Sequence, residues 1–306
     1  MGIVVIGTVF VDVKGFPEGA YIPNGRNAGR VEYVHGGVAR NVVEDIANLE
    51  LRPTFIGTVD HTSMGKDVLE KLERHKVNVD YVKAVPEGMG TWLALFDNNG
   101  DVAGSISHRP DTYLSYPILE KHGDEIFKDC DSVILELDLH KDVVKKTFEL
   151  AEKYNKKVYA LVSNMRIALE RRDFLQRLDC FICNDHEAGL LFLDDYSEMS
   201  PEQMRDVLAE KINQANIKAM IVTMGAKGAV YADIQGNKGF VPAKSVVVVD
   251  TTGAGDAFCA GAMSGLTYGK GLDEAIQIGT TLASSVITSS ENVCPRFRPE
   301  EFGISL

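Results

Sequence analysis

One stretch near the carboxyl end of the chain combines glycines and a carboxylate in a spacing suited to phosphate chemistry. Residues 246–258, Val-Val-Val-Val-Asp-Thr-Thr-Gly-Ala-Gly-Asp-Ala-Phe, predict a buried strand, a glycine turn and then a helix. Glycines let successive N–H groups face one point and a helix N-terminus adds positive charge, so Gly253, Ala254 and Gly255 can form an anion hole. Asp256, in the first helical turn, could then act as general base toward a hydroxyl while the hole stabilises a transferring phosphoryl group.

A tight turn followed by a helix cap would explain the same Gly-Ala-Gly-Asp segment, because short glycine motifs have many false positives. Other phosphate-binding motifs do not compete with it. The sequence contains no Gly-x4-Gly-Lys-Ser/Thr, and Phe258 stands where a dinucleotide fingerprint needs its third small residue.

A second glycine-containing segment, His-Gly-Gly-Val-Ala-Arg-Asn at 35–41, precedes an amphipathic run. Gly36 and Gly37 would let a ligand approach the backbone closely, and Asn41 offers both a donor and an acceptor, as a sugar hydroxyl requires. The alternative is a glycine turn before a helix that exposes Asn41 to solvent.

The elements that must position these residues alternate along the chain. Runs rich in β-branched residues alternate with segments of helical period, which predicts an α/β fold with a mostly parallel sheet covered by helices. The candidate strands are 3–6, 54–58, 132–137, 157–161, 180–183, 219–223 and 229–232, and the candidate helices are 38–49, 63–75, 141–154, 201–213 and 256–268.

Two segments interrupt this alternation, about 9–34 and 90–108. The first is rich in Gly, Pro and Asn, and the second alternates into Asp-Asn-Asn-Gly at 97–100, a turn of hairpin type. We expect them to form a small antiparallel sheet that acts as a lid over a crevice at the strand ends of the core.

Composition limits the classes of partner. The 306 residues carry 32 Lys and Arg against 44 Asp and Glu, a net charge of −12, which argues against nucleic acid and membrane surfaces as partners. The apolar runs are too short to span a bilayer, and residues 1–6 lack a basic secretory region. The five scattered cysteines favour a reducing, cytoplasmic setting over a disulfide framework.

The two glycine motifs, in this order and near opposite ends of the chain, resemble the signatures of the ribokinase-like (PfkB) carbohydrate kinase family. The resemblance covers essentially the whole chain and implies a single kinase domain over 1–306, with a three-layer α/β/α core and a β-sheet lid. It also implies transfer of the ATP γ-phosphate to a primary hydroxyl, a requirement for Mg²⁺ and, in many members, a monovalent cation such as K⁺.

The resemblance gives roles to residues on the phosphate side of the site. Asp256 resembles the catalytic base of the family, with Gly253, Ala254 and Gly255 as its anion hole. Asn184 and Glu187 resemble the pair that organises Mg²⁺ through water, although alone they would indicate a solvated helix start. Thr-Met-Gly-Ala-Lys-Gly at 223–228 resembles the nucleotide loop. In that loop, the residues expected near the phosphates are Thr223, Gly225, Lys227 and Gly228, with an exposed lysine as the alternative for Lys227.

It also implies residues for the acceptor and for a monovalent cation. Asp12 matches the acidic residue that binds substrate hydroxyls in many members, and Asp138 falls where some members place another. Gly36, Gly37 and Asn41 complete the expected substrate site. Asp250 and Thr252, with backbone from 285–291, are the candidates for the monovalent cation.

The acceptor is less well defined than the phosphoryl donor. Gly-Gly-Val-Ala-Arg-Asn-Val at 36–42, Val-Asp-Val-Lys-Gly-Phe-Pro at 11–17 and the turn at 95–100 most resemble pseudouridine kinases. Ribokinases, fructokinases and other nucleoside kinases share much of this motif set, and a catalytically weak member that senses sugar or nucleotide is a further alternative. The segment 159–164 lacks the Asp that many members carry there. A homodimer formed through the lid is also expected.

Overall fold

The structure is a computed structural model and describes residues 2–305. Its strands form a nine-stranded central sheet and a separate four-stranded sheet. The central sheet contains β1 (Ile3–Ile6), β4 (Thr54–Val59), β5 (Val82–Ala84), β8 (Ser132–Glu136), β9 (Lys157–Leu161), β10 (Cys180–Asn184), β11 (Ala219–Thr223), β12 (Ala229–Asp233) and β13 (Lys238–Val241). The small sheet contains β2 (Phe10–Pro17), β3 (Gly29–Gly36), β6 (Gly90–Phe96) and β7 (Val102–His108).

The helices are α1 (Val38–Asn48), α2 (Ser63–Arg74), α3 (Tyr116–Asp129), α4 (Lys141–Lys153), α5 (Met165–Leu169), α6 (Arg172–Leu175), α7 (Asp185–Phe192), α8 (Pro201–Ala215), α9 (Ala254–Thr267) and α10 (Leu272–Ile287). Short 3₁₀ turns lie at Thr112–Ser115, Gly225–Lys227 and Pro299–Phe302. The sequence analysis did not predict α3, α5, α6 or α10, nor the strands β5 and β13.

The central sheet is covered on both faces. Successive residues of β1 alternate between two cores: Val4 belongs to the core that includes α3, α4, α7 and α8, whereas Val5 belongs to the core that includes α1, α2, α9 and α10. The alternation follows from the two-residue period of a strand that is buried on both sides. The expected three-layer α/β/α architecture, with a mostly parallel sheet, is confirmed.

The strand order creates a crevice at one point of the sheet. The order is β13-β12-β11-β10-β9-β8-β1-β4-β5, so the chain proceeds outward from β1 in one direction and from β8 in the other. Ligands of open α/β sheets bind beyond the carboxyl ends of the strands at such a switch point. Thr8 and Glu136, at the carboxyl ends of β1 and β8, lie there.

The small sheet forms the expected lid, but its pairing differs from the prediction. Its two central strands, β2 and β6, are parallel, with Phe10 opposite Gly90; only the outer pairs are antiparallel. The expectation of an antiparallel sheet was wrong because β2 and β6 both follow parallel core strands, β1 and β5, and leave the core in the same direction. The turn at 97–100 is present, with Gly100 at a φ of 87° and the N–H of Asp97 donating to the Asp101 carbonyl at 2.8 Å.

The four valines at 246–249 are not a buried strand. They are irregular and exposed; Val247, for example, is 82% accessible. The N–H groups of Val249 and Asp250 both donate to the carbonyl of Ile287, so the segment lies along the end of α10 instead of pairing within the sheet. Within residues 2–305, no helix has both the length and the apolar character to cross a membrane.

Candidate active site

Helix α9 begins at Ala254, so the Gly-Ala-Gly segment forms its N-terminus and Asp256 lies in its first turn, as predicted. Gly253 caps the helix with a φ of 82°, a left-handed conformation that favours glycine. A Cβ at this position would lie 2.0 Å from the carbonyl oxygen of Asn292. Only glycine therefore fits between the start of α9 and the segment after α10.

The backbone at this helix start leaves donors free for an anion. The N–H of Ala254 donates to the Thr251 carbonyl at 3.2 Å, and the N–H of Ala257 makes the first helical bond to Gly253. Among the described residues, the N–H groups of Gly255 and Asp256 have no acceptor. Two N–H groups and the positive end of a 14-residue helix thus converge beside the Asp256 carboxylate.

The two predicted motifs meet directly. Asn41, in the first turn of α1, donates from Nδ2 to Oδ2 of Asp256 at 2.6 Å. The amide is oriented by donors on its other side, because Asn41 Oδ1 accepts from Arg40 and from Asn292 Nδ2. Asn41 is buried against Asp256, which contradicts the alternative that it faces solvent.

Burial raises the pKa of Asp256 to about 6, since the carboxylate loses water at the base of the cleft. The hydrogen bond from Asn41 and the charge of Arg40 lower this pKa, and the carboxylates of Asp12 and Glu187 raise it. Arg40 is itself 1% exposed and paired with Glu44 at 2.5 Å, so its charge is fixed in place. Asp256 can therefore change protonation state near neutral pH.

Asp12 and the glycine pair lie side by side. A Cβ on Gly36 would be 2.3 Å from Asp12 Oδ1, so the missing side chain makes room for that carboxylate. Gly37 has a φ of 97° and packs against the backbone of Thr8 and Phe10. Burial raises the pKa of Asp12, partly offset by the charges of Lys14 and Arg40. Asp12 thus forms part of the same acidic cleft as Asp256.

Asp138 follows β8 and is 2% exposed. Its Oδ1 accepts from the N–H of Ser163 at 3.0 Å, and its Oδ2 lies 2.7 Å from Nη1 of Arg109, the residue that follows the lid strand β7. Its carboxylate therefore joins the lid to the ends of two core strands. The sequence analysis did not identify Ser163 or the neighbouring Glu136 as members of this cluster.

A cavity of about 530 Å³ lies on the other side of the α9 N-terminus. It brings together the predicted Thr223, Gly225 and Gly228 with Ala254 and Gly255. Much of the rest of its lining comes from two segments that the sequence analysis did not assign to a site: residues 243–246 with Val248, and one face of α10 with Thr280, Ala283, Ser284 and Ile287. Two of the four valines, Val246 and Val248, thus line a cavity instead of entering the core.

Lys227 does not line this cavity. Its Nζ donates to the carbonyls of Ser197 and Met199, at 2.9 and 3.0 Å, and so ties the 3₁₀ turn to the loop before α8. Lys244 lines the cavity instead, with its Nζ on the hydroxyl of Thr281 at 2.8 Å. Lys227 is exposed, as in the alternative, because the position of a residue in a loop does not fix the direction of a long side chain.

Asn184 and Glu187 form a reciprocal cap at the start of α7. Asn184 Oδ1 accepts from the N–H of Glu187 at 2.8 Å, and Glu187 Oε2 accepts from the N–H of Asn184 at 2.9 Å. Burial raises the pKa of Glu187 despite this hydrogen bond and nearby His186. The helix-start alternative therefore describes the local hydrogen bonds, although Glu187 is half-buried, and Oε1 of Glu187 has no hydrogen bond within the described residues.

Asp250 and Thr252 flank the turn that leads into the anion hole. Asp250 Oδ1 accepts from the N–H of Thr252 at 2.9 Å. Burial would raise the pKa of Asp250, but hydrogen bonds from Thr252 and the charge of Lys14 lower it overall. The carboxylate is thus ionised close to the end of α10, whose carbonyl at Ile287 already accepts from Asp250.

This fold and cleft define a phosphotransferase that uses an alcohol group as acceptor. A family model, that of the pfkB family carbohydrate kinases, matches residues 2–294, and the chain belongs to this family. It is a sugar or nucleoside kinase.

Named relatives cover nearly the whole chain. A guanosine-inosine kinase of Exiguobacterium acetylicum is 35% identical over 294 residues, 95% of both chains. A pseudouridine kinase of Escherichia coli (strain K12) is 25% identical over 293 residues, 94% of this chain and 90% of its own. Ribokinase of Arabidopsis thaliana, solved with ribose and ATP, has a TM-score of 0.83 and 22% identity over 96% of this chain and 95% of its own, which shows the shared fold. The expected pseudouridine kinase subfamily is not confirmed.

Proposed function

We propose that the protein transfers the γ-phosphate of ATP to the primary hydroxyl of a ribonucleoside, with Asp256 as general base. The observation that carries the proposal is the position of Asp256, held by Asn41 at 2.6 Å in the first turn of α9 and adjacent to a cavity of about 530 Å³. The 35% identity to a relative named guanosine-inosine kinase favours guanosine and inosine as acceptors.

The proposed chemistry is an in-line transfer. Ionised Asp256 takes the proton of the primary hydroxyl as its oxygen attacks the γ-phosphorus, and the bond to the β–γ bridging oxygen breaks so that ADP leaves. The free N–H groups of Gly255 and Asp256, with the helix dipole, stabilise the charge on the transferring group.

We assign the nucleotide to the cavity beyond this helix start. Thr223, Gly225 and Gly228 border the phosphate end, and the purine ring fits the apolar end, formed by Val246, Val248 and parts of α10. Backbone donors and Lys244 supply positive charge there, which explains how a chain with a net charge of −12 can hold a polyanion.

Magnesium, when bound, neutralises charge on the phosphates. The residues at the site fit a water-mediated ion: Oε2 of Glu187 is occupied by the N–H of Asn184, which leaves Oε1 to hold a metal-bound water. Asp250 and Thr252 offer a carboxylate and a hydroxyl, the hard oxygen donors that K⁺ also prefers, and we propose them as the monovalent cation site.

For the acceptor, we assign ribose recognition to Asp12, Gly36, Gly37, Asn41 and Asp138. Carboxylates accept hydrogen bonds from sugar hydroxyls, and the absence of a side chain at Gly36 makes room for the carboxylate of Asp12. The acidic cleft also favours a neutral acceptor over an already phosphorylated one.

The deciding experiment is a coupled ADP-release assay with guanosine, inosine, pseudouridine, adenosine, ribose and fructose as acceptors. We expect the highest kcat/KM for guanosine or inosine. A preference for pseudouridine would favour the resemblance of the segments 11–17, 36–42 and 95–100 to pseudouridine kinases, and turnover of free sugars only would contradict a nucleoside kinase. Measurable ATP binding without turnover on any acceptor would favour a sensor.

We further propose a homodimer formed through the lid. The lid strands place five exposed apolar side chains on one face, because residues opposite each other in register share a face: Val31, Tyr33, Leu93, Leu95 and Ile106. We call this set the apolar lid face. Two copies facing each other would bury a patch that a monomer exposes to water.

A further inference from the structure

Glu136 is a buried carboxyl to which neither the motif resemblance nor the mechanism above gives a role. It ends β8 at the switch point of the sheet and is 1% exposed. A Cβ on Gly7 would lie 2.5 Å from Glu136 Oε2, so the absence of a side chain at Gly7 makes room for this carboxyl. An ionisable group is therefore built into the floor of the proposed acceptor cleft.

The hydrogen bonds around Glu136 cannot all form if Glu136 and Asp138 are both ionised, because one contact then lacks a proton. The hydroxyl oxygen of Ser163 lies 2.8 Å from Glu136 Oε1 and 2.8 Å from Asp138 Oδ2. One hydroxyl proton can serve only one of these contacts. Nη1 of Arg109 also donates to the Ser163 hydroxyl oxygen, at 2.9 Å. That hydrogen bond supplies no proton between the Ser163 hydroxyl oxygen and either carboxyl oxygen. The arrangement is satisfied when Glu136 donates to Ser163 and Ser163 donates to Asp138.

The charges of the cluster lead to the same conclusion. Its charged side chains are Glu136 and Asp138 on the β8 side and Arg109 from the end of the lid, while β1 and β9 contribute only the uncharged Thr8 and Ser163. The next charged group, Glu187 on α7, faces Asp138 and adds negative charge. One guanidinium balances two buried carboxyls only if one of them is protonated. Burial and the charge of Asp138 raise the pKa of Glu136 to about 7, which agrees.

We propose that Glu136 is a positioning residue that carries a proton in the working enzyme and thereby holds Asp138 and Arg109 in the arrangement that receives the acceptor. This inference rests on the proposed function, in which Asp138 contacts the nucleoside. Loss of the proton creates a second negative charge next to Asp138 and a competitor for Arg109, whose Nη2 lies 3.8 Å from Glu136 Oε1. Because Arg109 follows β7, the proton state of Glu136 also affects how the lid is attached to the core.

The first test is a pH titration of Glu136 in the ligand-free wild-type protein. The titration is monitored by ¹³C NMR of the carboxyl carbons, with resonances assigned through bonds. We expect a midpoint above about pH 6, well above the ordinary value of about 4.3. A midpoint below about pH 6 overturns the proposal. This measurement needs neither turnover nor a variant.

The second test compares the acceptor KM of wild type and Glu136→Gln from pH 5.5 to 8.5 at saturating ATP. Glutamine keeps a donor toward Ser163 but cannot ionise. We expect the wild-type KM to rise about threefold or more with pH and that of the variant to stay within about twofold of its value at low pH. A purely structural role for Glu136 would change KM at all pH values alike.

The matched control is Glu120→Gln. It alters an exposed carboxylate of α3 that pairs with Lys146 of α4, and it should keep the wild-type dependence of KM on pH. A wild-type KM that does not depend on pH while Glu136 titrates overturns the positioning role. Failure of the proposed function would appear differently, as absence of turnover with every nucleoside, and the NMR titration would still decide the protonation of Glu136.

Discussion

The side-chain amide of Asn41 donates a 2.6 Å hydrogen bond to Oδ2 of Asp256, and so joins residues 215 positions apart in sequence. The bond connects the first turn of α1 to the first turn of α9. It stabilises the ionised form of Asp256, the form that a general base requires, against the burial that favours the protonated form.

Asn41→Ala should therefore weaken the base. Removing the amide takes away a contact that lowers the Asp256 pKa. The acid limb, that is, the rise of kcat/KM with pH, should therefore shift to higher pH by up to about one unit, and kcat should fall about tenfold. The measurement is kcat/KM against pH. Asn213→Ala, on the exposed side of α8, is the control and should keep the wild-type profile. An unshifted limb in Asn41→Ala would contradict the assigned contact.

Wild-type activity should itself depend on the ionisation of Asp256. With a pKa of about 6, the carboxylate is mostly protonated below that pH and ionised above it. We expect kcat/KM to rise with pH through about 6 and to reach a maximum near neutrality, because loss of the Glu136 proton then raises the acceptor KM. A flat profile between pH 5 and pH 8, at constant ionic strength, would exclude Asp256 as a base with a raised pKa.

Asp256→Asn should abolish turnover while it stabilises the fold. We expect kcat to fall by about 10²–10⁴ with ATP affinity within a few-fold, measured by turnover and by calorimetry. In the wild-type protein, the pKa of Asp256 in the folded state exceeds the ordinary value of 3.8, so ionisation of Asp256 lowers the free energy of unfolding. This loss of stability is absent below about pH 4 and complete above about pH 6.

The free energy of unfolding of Asp256→Asn should thus exceed that of wild type by up to about 3 kcal/mol at pH 8, and by less at pH 5. Denaturant titrations at the two pH values measure this difference. Asp206→Asn is the opposite case, because hydrogen bonds from Arg205 and Lys238 lower the Asp206 pKa to about 2, and it should not stabilise. Equal destabilisation by both variants would contradict the raised pKa of Asp256.

Two glycines of the anion hole should respond differently to alanine. In Gly253→Ala, the alanine must adopt a φ of 82°, and its Cβ would lie 2.0 Å from a carbonyl oxygen. We therefore expect the substitution to lower the free energy of unfolding by about 1–3 kcal/mol. Gly255→Ala has open space around its Cβ, so stability should be retained while the methyl group occupies space next to the proposed phosphates. Thermal unfolding and ATP binding separate the two effects. Unchanged ATP affinity in Gly255→Ala would place the phosphates elsewhere.

The apolar lid face should control oligomeric state. Ile106 is 70% exposed, and Ile106→Asp places a charge on this face. We expect sedimentation to give a dimer for wild type and a monomer for the variant, because burying an unpaired carboxylate is costly. Ser105→Asp, on the opposite face of β7, should remain dimeric. A monomeric wild type at micromolar concentration would contradict the proposed dimer.

Local chemistry explains how much of the site could be predicted. The Gly-Ala-Gly-Asp helix start was predictable because a glycine at positive φ and a carboxylate in the first turn depend on only a few adjacent residues. The alternation of β-branched and helical segments likewise predicted the α/β layers, since each strand has its own two-residue period.

The rest depended on contacts between distant segments. Valines 246–249 have the composition of a buried strand, and only the packing of their segment along α10 shows that Val246 and Val248 line a cavity. Lys227 stands in the expected loop, but its side chain bonds carbonyls outside the cavity. The parallel pairing of β2 and β6 follows from the order of the core strands, which no local pattern encodes.

The sequence by itself therefore predicted the layer architecture and the family of this protein, together with a candidate catalytic motif, because each depends on short-range spacing. The tertiary structure decided which side chains form hydrogen bonds and ion pairs with each other. Asn41 reaches Asp256 and Glu136 reaches Thr8, Ser163 and Arg109 only because strand order brings these segments to one edge of the sheet. Hydrogen bonds and ion pairs act over a few ångströms, so residues distant in sequence interact only when the fold makes them neighbours.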